Sequence, residues 1–265
     1  MEYYKLSDAR LTENKLYGES YTIDYIRKQG ITGEWWSYTQ KCAWIPEFAE
    51  VIENENGEIT FLIHRDESPY NSYPSEFKTR KGTFVTDDRG EFGGRLILPN
   101  KKEIYGNYFL VFEHNKIVYA IDSLSHFGCL HMKIIKFESS YFFTVYSSRD
   151  WTFNGEFDNI SFNAIYQDKE NVYILASGFN YLGNDSYHLA KLFVIDSNNN
   201  FSTVAQYNRF YGFVKNMIIR DNKMYLGLDK CVSVTDLENG EEKFYTFLSE
   251  EAEANILEAN RFEQF

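Results

Sequence analysis

The chain is short of cysteine, of basic residues and of long apolar runs, and each shortage narrows the possibilities. Its three cysteines, Cys42, Cys129 and Cys231, are far apart and show no C-x-x-C spacing. An odd, sparse set does not build a disulfide framework and suits a reducing compartment. No stretch approaches the roughly 18 apolar residues of a membrane span; runs such as Phe109-Leu110-Val111-Phe112 are typical. The start, Met1-Glu2-Tyr3-Tyr4-Lys5-Leu6-Ser7-Asp8, lacks the apolar core of a signal peptide, so a cytoplasmic location with no membrane contact is expected. Without secretion, the N-x-S sequons at Asn159, Asn184 and Asn200 carry no meaning.

The basic deficit is the most informative shortage. Against 39 Asp and Glu stand 27 Lys and Arg, a formal net charge of −12. A nucleic-acid binder clusters cations to neutralise phosphates. Here the nearest approach is Lys78-Thr79-Arg80-Lys81, with acidic neighbours, so direct nucleic-acid binding is not expected. Strong acidity suits either a solvated surface or electrostatic docking onto a basic protein. The G-x-S-x-G, G-x-x-x-x-G-K-[ST], H-E-x-x-H and G-x-G-x-x-G motifs are all missing, so no cofactor is expected.

What the chain does have is length and aromatic surface. At 265 residues, 43% of them hydrophobic and 25% charged, it falls in the globular class. A chain of this size buries roughly three quarters of its unfolded surface and needs no covalent staples. Tyr (21), Phe (23) and Trp (4) make up 18% of the residues, and aromatic side chains fit a pleated, half-buried sheet surface.

Periodicity then sets the architecture. A short apolar strand, a turn of Asp, Glu, Asn or Lys, and a second strand opening on an aromatic recur along the chain. One copy runs Phe109-Leu110-Val111-Phe112, Glu113-His114-Asn115-Lys116, Ile117-Val118-Tyr119-Ala120-Ile121. Others centre on Asn163-Ala164-Ile165-Tyr166 with Val172-Tyr173-Ile174-Leu175, and on Asn216-Met217-Ile218-Ile219 with Met224-Tyr225-Leu226. These are hairpins by their flanks and turn chemistry. Tyr119, Tyr173 and Tyr225 lie 54 and 52 residues apart, and Phe61 lies 58 before Tyr119. A fainter copy, Glu13-Asn14-Lys15-Leu16-Tyr17, lies 44 before Phe61.

Later copies continue with a third segment (Lys133–Glu138, Leu192–Asp196, Val232–Asp236) and a fourth (Tyr141–Val145, Phe201–Val204, Phe244–Leu248). Four strands per unit of about 40–55 residues is the count of a β-propeller blade of the WD or kelch kind. Over residues 1–249 the chain resembles a generic β-propeller repeat protein, without the Gly-His…Trp-Asp pairing of WD repeats or the Gly-Gly of kelch repeats. The resemblance implies an all-β, five-bladed ring and says nothing of a ligand. A large β-sandwich is the rival architecture. Residues 250–265, with Ile256, Ala259 and Phe262 at i, i+3, i+6, read as a short acidic helix.

Candidate partner-binding residues come from three related loops. Gly33-Glu34-Trp35-Trp36, Gly90-Glu91-Phe92 and Gly155-Glu156-Phe157 each join glycine, a carboxylate and an aromatic. The first two precede Phe61 and Tyr119 by 28 and 29 residues, so they hold comparable places in the repeat. Trp35, Trp36, Arg89, Glu91, Phe92 and Trp151 are therefore the expected partner face. A purely structural role, with Gly-Glu as a turn and the aromatic as blade packing, competes with that reading. His126, Cys129 and His131 resemble metal ligands at first sight. Spaced i, i+5, however, the histidines fall on opposite faces of a strand, and no metal site is expected. His114 is placed in a hairpin turn facing solvent.

Two functions fit these bounds. The leading one is a non-enzymatic protein-binding module, an inhibitor or immunity-type protein that covers a basic partner such as a toxin. The alternative is a carbohydrate-active propeller, a glycoside hydrolase or glycan binder, with separated carboxylates drawn from Asp24, Asp87, Asp88, Glu91 and Glu156. Fold-level likeness supports that alternative only by analogy.

Overall fold

A computed structural model of the chain describes residues 3–5, 9–12, 47–65, 73–87, 93–126, 129–138, 141–148, 158–182, 185–207, 211, 214–228 and 231–246, and every regular element among them is a β-strand. First come β1 (Tyr3–Lys5), β2 (Arg10–Thr12), β3 (Glu47–Glu53) and β4 (Ile59–Arg65). Four short strands follow: β5 (Glu76–Thr79), β6 (Gly82–Asp87), β7 (Arg95–Ile97) and β8 (Glu103–Tyr105). The central part of the chain holds β9 (Tyr108–His114), β10 (Ile117–His126), β11 (Cys129–Glu138) and β12 (Tyr141–Ser147). Next are β13 (Asn159–Gln167), β14 (Val172–Leu182), β15 (Asp185–Ile195) and β16 (Phe201–Tyr207). The last four are β17 (Val214–Arg220), β18 (Lys223–Leu228), β19 (Cys231–Asp236) and β20 (Glu242–Thr246).

These strands form five antiparallel sheets that follow the sequence almost as meanders. Sheet 1 is β1-β4-β3, sheet 2 is β5-β6-β7-β8, sheet 3 is β9-β10-β11-β12, sheet 4 is β13-β14-β15-β16, and sheet 5 is β17-β18-β19-β20-β2. The all-β expectation holds. The 58-residue interval between Phe61 and Tyr119, read from sequence as one repeat, instead contains all of sheet 2. Sheet 2 escapes a periodicity search because its strands are three to six residues long and carry no tyrosine at the anchoring position. Glu13–Tyr17 and the helix expected over 250–265 lie outside the described residues.

The repeat is visible in the irregularities as well as in the strands. In sheets 3, 4 and 5 the first strand pair is interrupted at Phe109, Asn163 and Lys215, each left unmatched in the register. Those bulges fall at the same 54- and 52-residue intervals as the tyrosines. A bulge bends a strand and adds twist, so equivalent bulges give the three sheets the same local shape. The turns obey their chemistry too. Asn115-Lys116 and Asp221-Asn222 all have positive φ, as a two-residue type I′ hairpin requires.

The chain divides into two compact units, one of Met1–Tyr70 with Phe213–Phe265 and one of Asn71–Gly212. In the second unit, sheets 2, 3 and 4 share one core that includes Phe84, Leu96, Tyr119, Ile134, Ile135 and Phe193. Aromatic contacts run between sheets: Phe84 to Phe137 at 5.1 Å, Phe109 to Phe162 at 5.0 Å, and Tyr146 to Phe193 at 4.7 Å. Such tilted pairs add to the area they bury. Tyr119 is fully buried, its hydroxyl donating to Asn199 Oδ1 at 3.2 Å.

In the first unit, sheet 5 packs on sheet 1. Val51 N–H donates to Asn216 Oδ1 at 2.8 Å, and Asn216 Nδ2 donates back to the Val51 carbonyl at 2.6 Å. One side-chain amide thus satisfies both backbone groups of a residue in the facing sheet. The backbones approach so closely that a Cβ on Gly227 would lie 2.2 Å from the Ala49 carbonyl oxygen. The N-terminal segment ties the same two sheets again, because β1 pairs with β4 while β2 pairs with β20.

Candidate functional site

The residues expected to form the partner face, Trp35, Trp36, Arg89, Glu91, Phe92 and Trp151, all lie outside the described residues. So do Asp24, Asp88 and Glu156 among the carboxylate candidates. Asp87, the one described member of that set, ends β6 directly opposite Arg95. Arg95 Nε donates to Asp87 Oδ2 at 3.0 Å and Arg95 Nη1 to Glu103 Oε1 at 2.8 Å. Glu103 first and Asp87 second hold the guanidinium above its ordinary range. A carboxylate bound this way serves the β6–β7–β8 surface.

Two polar centres that sequence reasoning missed lie in the unit of sheets 2–4. The first is Asp122 on β10, whose Oδ1 accepts the Asn107 N–H at 2.8 Å and stands 3.1 Å from His131 Nε2. Gly106 leaves room for it, since a Cβ there would lie 2.8 Å from Asp122 Oδ2 and 2.7 Å from Tyr108 Cε2. Burial first, and Asp122 second, push the Tyr108 hydroxyl far above the ordinary tyrosine range. His131, weighed above as a metal ligand, is thus turned onto a carboxylate of the neighbouring strand. Ser123 extends the network: its hydroxyl donates to the His131 carbonyl at 2.9 Å and accepts the Phe162 N–H at 2.9 Å, joining sheet 3 to sheet 4.

The second centre is a buried ion pair. Lys191 Nζ lies 2.6 Å from Asp158 Oδ2, and the Tyr146 hydroxyl donates to the same oxygen at 3.0 Å. All three side chains are buried between sheets 3 and 4. A charge removed from water persists only when paired, so this arrangement specifies how the two sheets meet. The sequence does carry a signal for both centres. Asp122 and Lys191 are single charges inside apolar strands, Val118-Tyr119-Ala120-Ile121-Asp122 and Leu189-Ala190-Lys191-Leu192-Phe193.

Other histidines are occupied as well. His114, expected to face solvent, is buried as the last residue of β9, with Nε2 2.9 Å from the Asp196 carbonyl. The turn it precedes is only two residues long, which keeps His114 inside the sheet. In the other unit, His64 Nε2 lies 2.6 Å from Glu50 Oε2 across β3 and β4.

Among the described residues, three of the five exposed large hydrophobic side chains lie on one strand, the others being Tyr105 on β8 and Val204 on β16. Tyr141, Phe142 and Phe143 open β12 and are 72%, 45% and 48% exposed. Side chains alternate faces along a strand, so three exposed in a row means both faces are open to solvent there. Among the described residues, no strand pairs with the far side of β12.

No protein family model matches the chain, and no curated protein sequence matches it. Among solved structures, an exo-1,5-alpha-L-arabinanase from a bovine ruminal metagenomic library is 10% identical, over 70% of this chain and 96% of that one, with a TM-score of 0.21. The Cellvibrio cellulosa alpha-L-arabinanase complexed with arabinohexaose is 11% identical, over 69% and 94%, with a TM-score of 0.19. Likeness at this level carries no argument about activity. What the chain itself defines is an all-β protein of repeated antiparallel sheets. Among the described residues, no helix is long and apolar enough to cross a membrane.

Proposed function

We propose that the protein is a non-enzymatic binding module, a five-bladed β-propeller over residues 1–249 that captures a basic protein, in the manner of a cytoplasmic inhibitor or immunity protein. The observation that carries this reading is a net charge of −12 on a scaffold of five antiparallel sheets. Several of the acids stand on exposed turns, among them Glu55, Glu170, Asp221, Glu238 and Glu241. Acidic groups on short, hydrogen-bonded turns are held in place, which favours electrostatic steering of a cationic partner. The ring itself is supported by five successive sheets and by the packing of the last on the first.

Affinity capture from native lysate at low salt, eluted along a salt gradient and read by mass spectrometry, tests this reading. Recovery of one stoichiometric basic protein, released as salt rises, is the expected result. Substituting Glu91 and Phe92 with Ala is expected to weaken that capture while leaving thermal stability nearly unchanged; a collapse in stability would make those residues packing. If nothing stoichiometric is recovered, the protein-capture reading fails. A glycan screen of Asp24, Asp88, Glu91 and Glu156 variants then tests the carbohydrate-active alternative.

A further inference from the structure

We propose that the outer edge of β12, which pairs with no further strand among the described residues, is a strand-addition site for an extended, alternating basic and apolar segment of the partner; this rests on the protein-binding reading above. Edge strands invite pairing because one row of backbone N–H and C=O groups has no neighbour, and proteins usually guard them with charge, proline or a covering element. Among the described residues, the last strands of the other four-strand meanders carry such guards or lack a run of exposed aromatics. β20 is covered by β2, and β8 carries Glu103 bound to Arg95 beside its one exposed aromatic, Tyr105. β16 has no charge in Phe201–Tyr207, but its exposed middle is Ser202, Thr203 and Val204.

β12 reads Tyr-Phe-Phe-Thr-Val-Tyr-Ser, with no charge and no proline. Its exposed opening, Tyr141 and Phe143 on one face and Phe142 on the other, would clasp both faces of an incoming strand. Phe142 is the most anchored of the three, its ring 6.2 Å from that of Phe137. The neighbouring strand sets no barrier to cations, since Lys136 is paired with Glu138 at 2.6 Å and Lys133 lies at the far end, opposite Ser147. Backbone pairing supplies affinity in this mode, and alternate side chains supply selectivity.

Charge chooses the occupant. A second copy would bring together two chains of −12 each, which repel. A cationic strand meets no such repulsion.

The probe is the peptide Lys-Val-Lys-Val-Lys-Val-Lys, with a Glu-Val counterpart and two versions N-methylated at every valine or at every lysine. Binding is followed by fluorescence anisotropy and by amide exchange over Tyr141–Ser147. The Lys-Val peptide is expected to bind and to slow exchange in β12. One of the two N-methylated versions is expected to bind at least tenfold more weakly, because strand pairing uses alternate amides. The Tyr141→Thr/Phe143→Thr double variant, with an unchanged Tm, is expected to lose at least tenfold, and the Glu-Val peptide to bind at least tenfold more weakly than Lys-Val.

Equal binding by all the cationic peptides, or indifference to the double variant, would overturn strand addition while leaving electrostatic capture standing. Failure of the Lys-Val peptide to bind at all would also overturn it, whatever the lysate capture returns. A dimer in sedimentation equilibrium that the double variant abolishes would assign the edge to a second copy instead.

Discussion

Two glycines limit how closely the sheets can be altered. A Cβ on Gly178 would lie 2.1 Å from the Asn159 carbonyl oxygen, and one on Gly227 2.2 Å from that of Ala49. In both cases backbone meets backbone, so no side chain can swing aside. Gly178→Ala and Gly227→Ala are each expected to lower stability by about 3 kcal/mol or more in urea denaturation. Gly93 has φ +78° and no neighbour within reach of a Cβ. Gly93→Ala therefore meets only the backbone penalty, about 1–2 kcal/mol.

Tyr119 makes a different residue-scale prediction. Burial first, then Glu138 and Asp196, pushes its hydroxyl from an ordinary 10.0 up to about 12. The folded state therefore holds the proton more tightly than the unfolded chain. Its contribution is fully present below pH 10 and is lost as pH rises from about 10 to about 12. Stability measured by denaturant titration is expected to fall across that window, and Tyr119→Phe to flatten part of the fall. An unchanged slope in the variant would remove Tyr119 from the account.

Among the elements, the N-terminal strands test how sheets 1 and 5 are held. β1 is the third strand of sheet 1, and two-stranded sheets are marginal in water. Deleting residues 1–12 leaves β3 and β4 dependent on packing against sheet 5 and uncovers β20. Amide exchange is expected to speed up in Thr60–Leu62 and Phe244–Thr246, the partners of β1 and β2, with a lower Tm. Unchanged exchange at both would mean that the segment adds nothing to either sheet.

The same scale shows what could be read from the sequence. Sheets 3, 4 and 5 were legible because long strands repeat an aromatic at a fixed distance from a short turn. Sheet 2 was not, because strands such as Arg95–Ile97 are too short to show alternation. The addition of β2 beside β20 was equally hidden, since a three-residue strand pairing with one more than two hundred residues away leaves no local trace. The candidate loops drew attention through glycine and aromatic content. The Asp122 and Lys191 centres were passed over, because one charge in an apolar strand gives a burial signal without a motif. Tyr141–Phe143 was read as a strand from its composition. That both its faces are open depends on which element lies beside β12, and only three-dimensional structure shows that.

For the whole molecule, charge makes the decisive prediction. A surplus of −12 acts over about a Debye length, roughly 30 Å at 0.01 M ionic strength and 8 Å at 0.15 M. If capture of a basic partner is steered by that field, the association rate should fall at least tenfold between those conditions. The dissociation rate, set by short-range contacts, should change much less. Surface plasmon resonance across the salt series separates the two. The opposite pattern, a salt-insensitive association rate with salt-dependent dissociation, would place the charge in close contacts. Rates insensitive to salt in both directions would instead leave the acidic surface to solubility alone, with recognition resting on apolar surface such as the β12 edge.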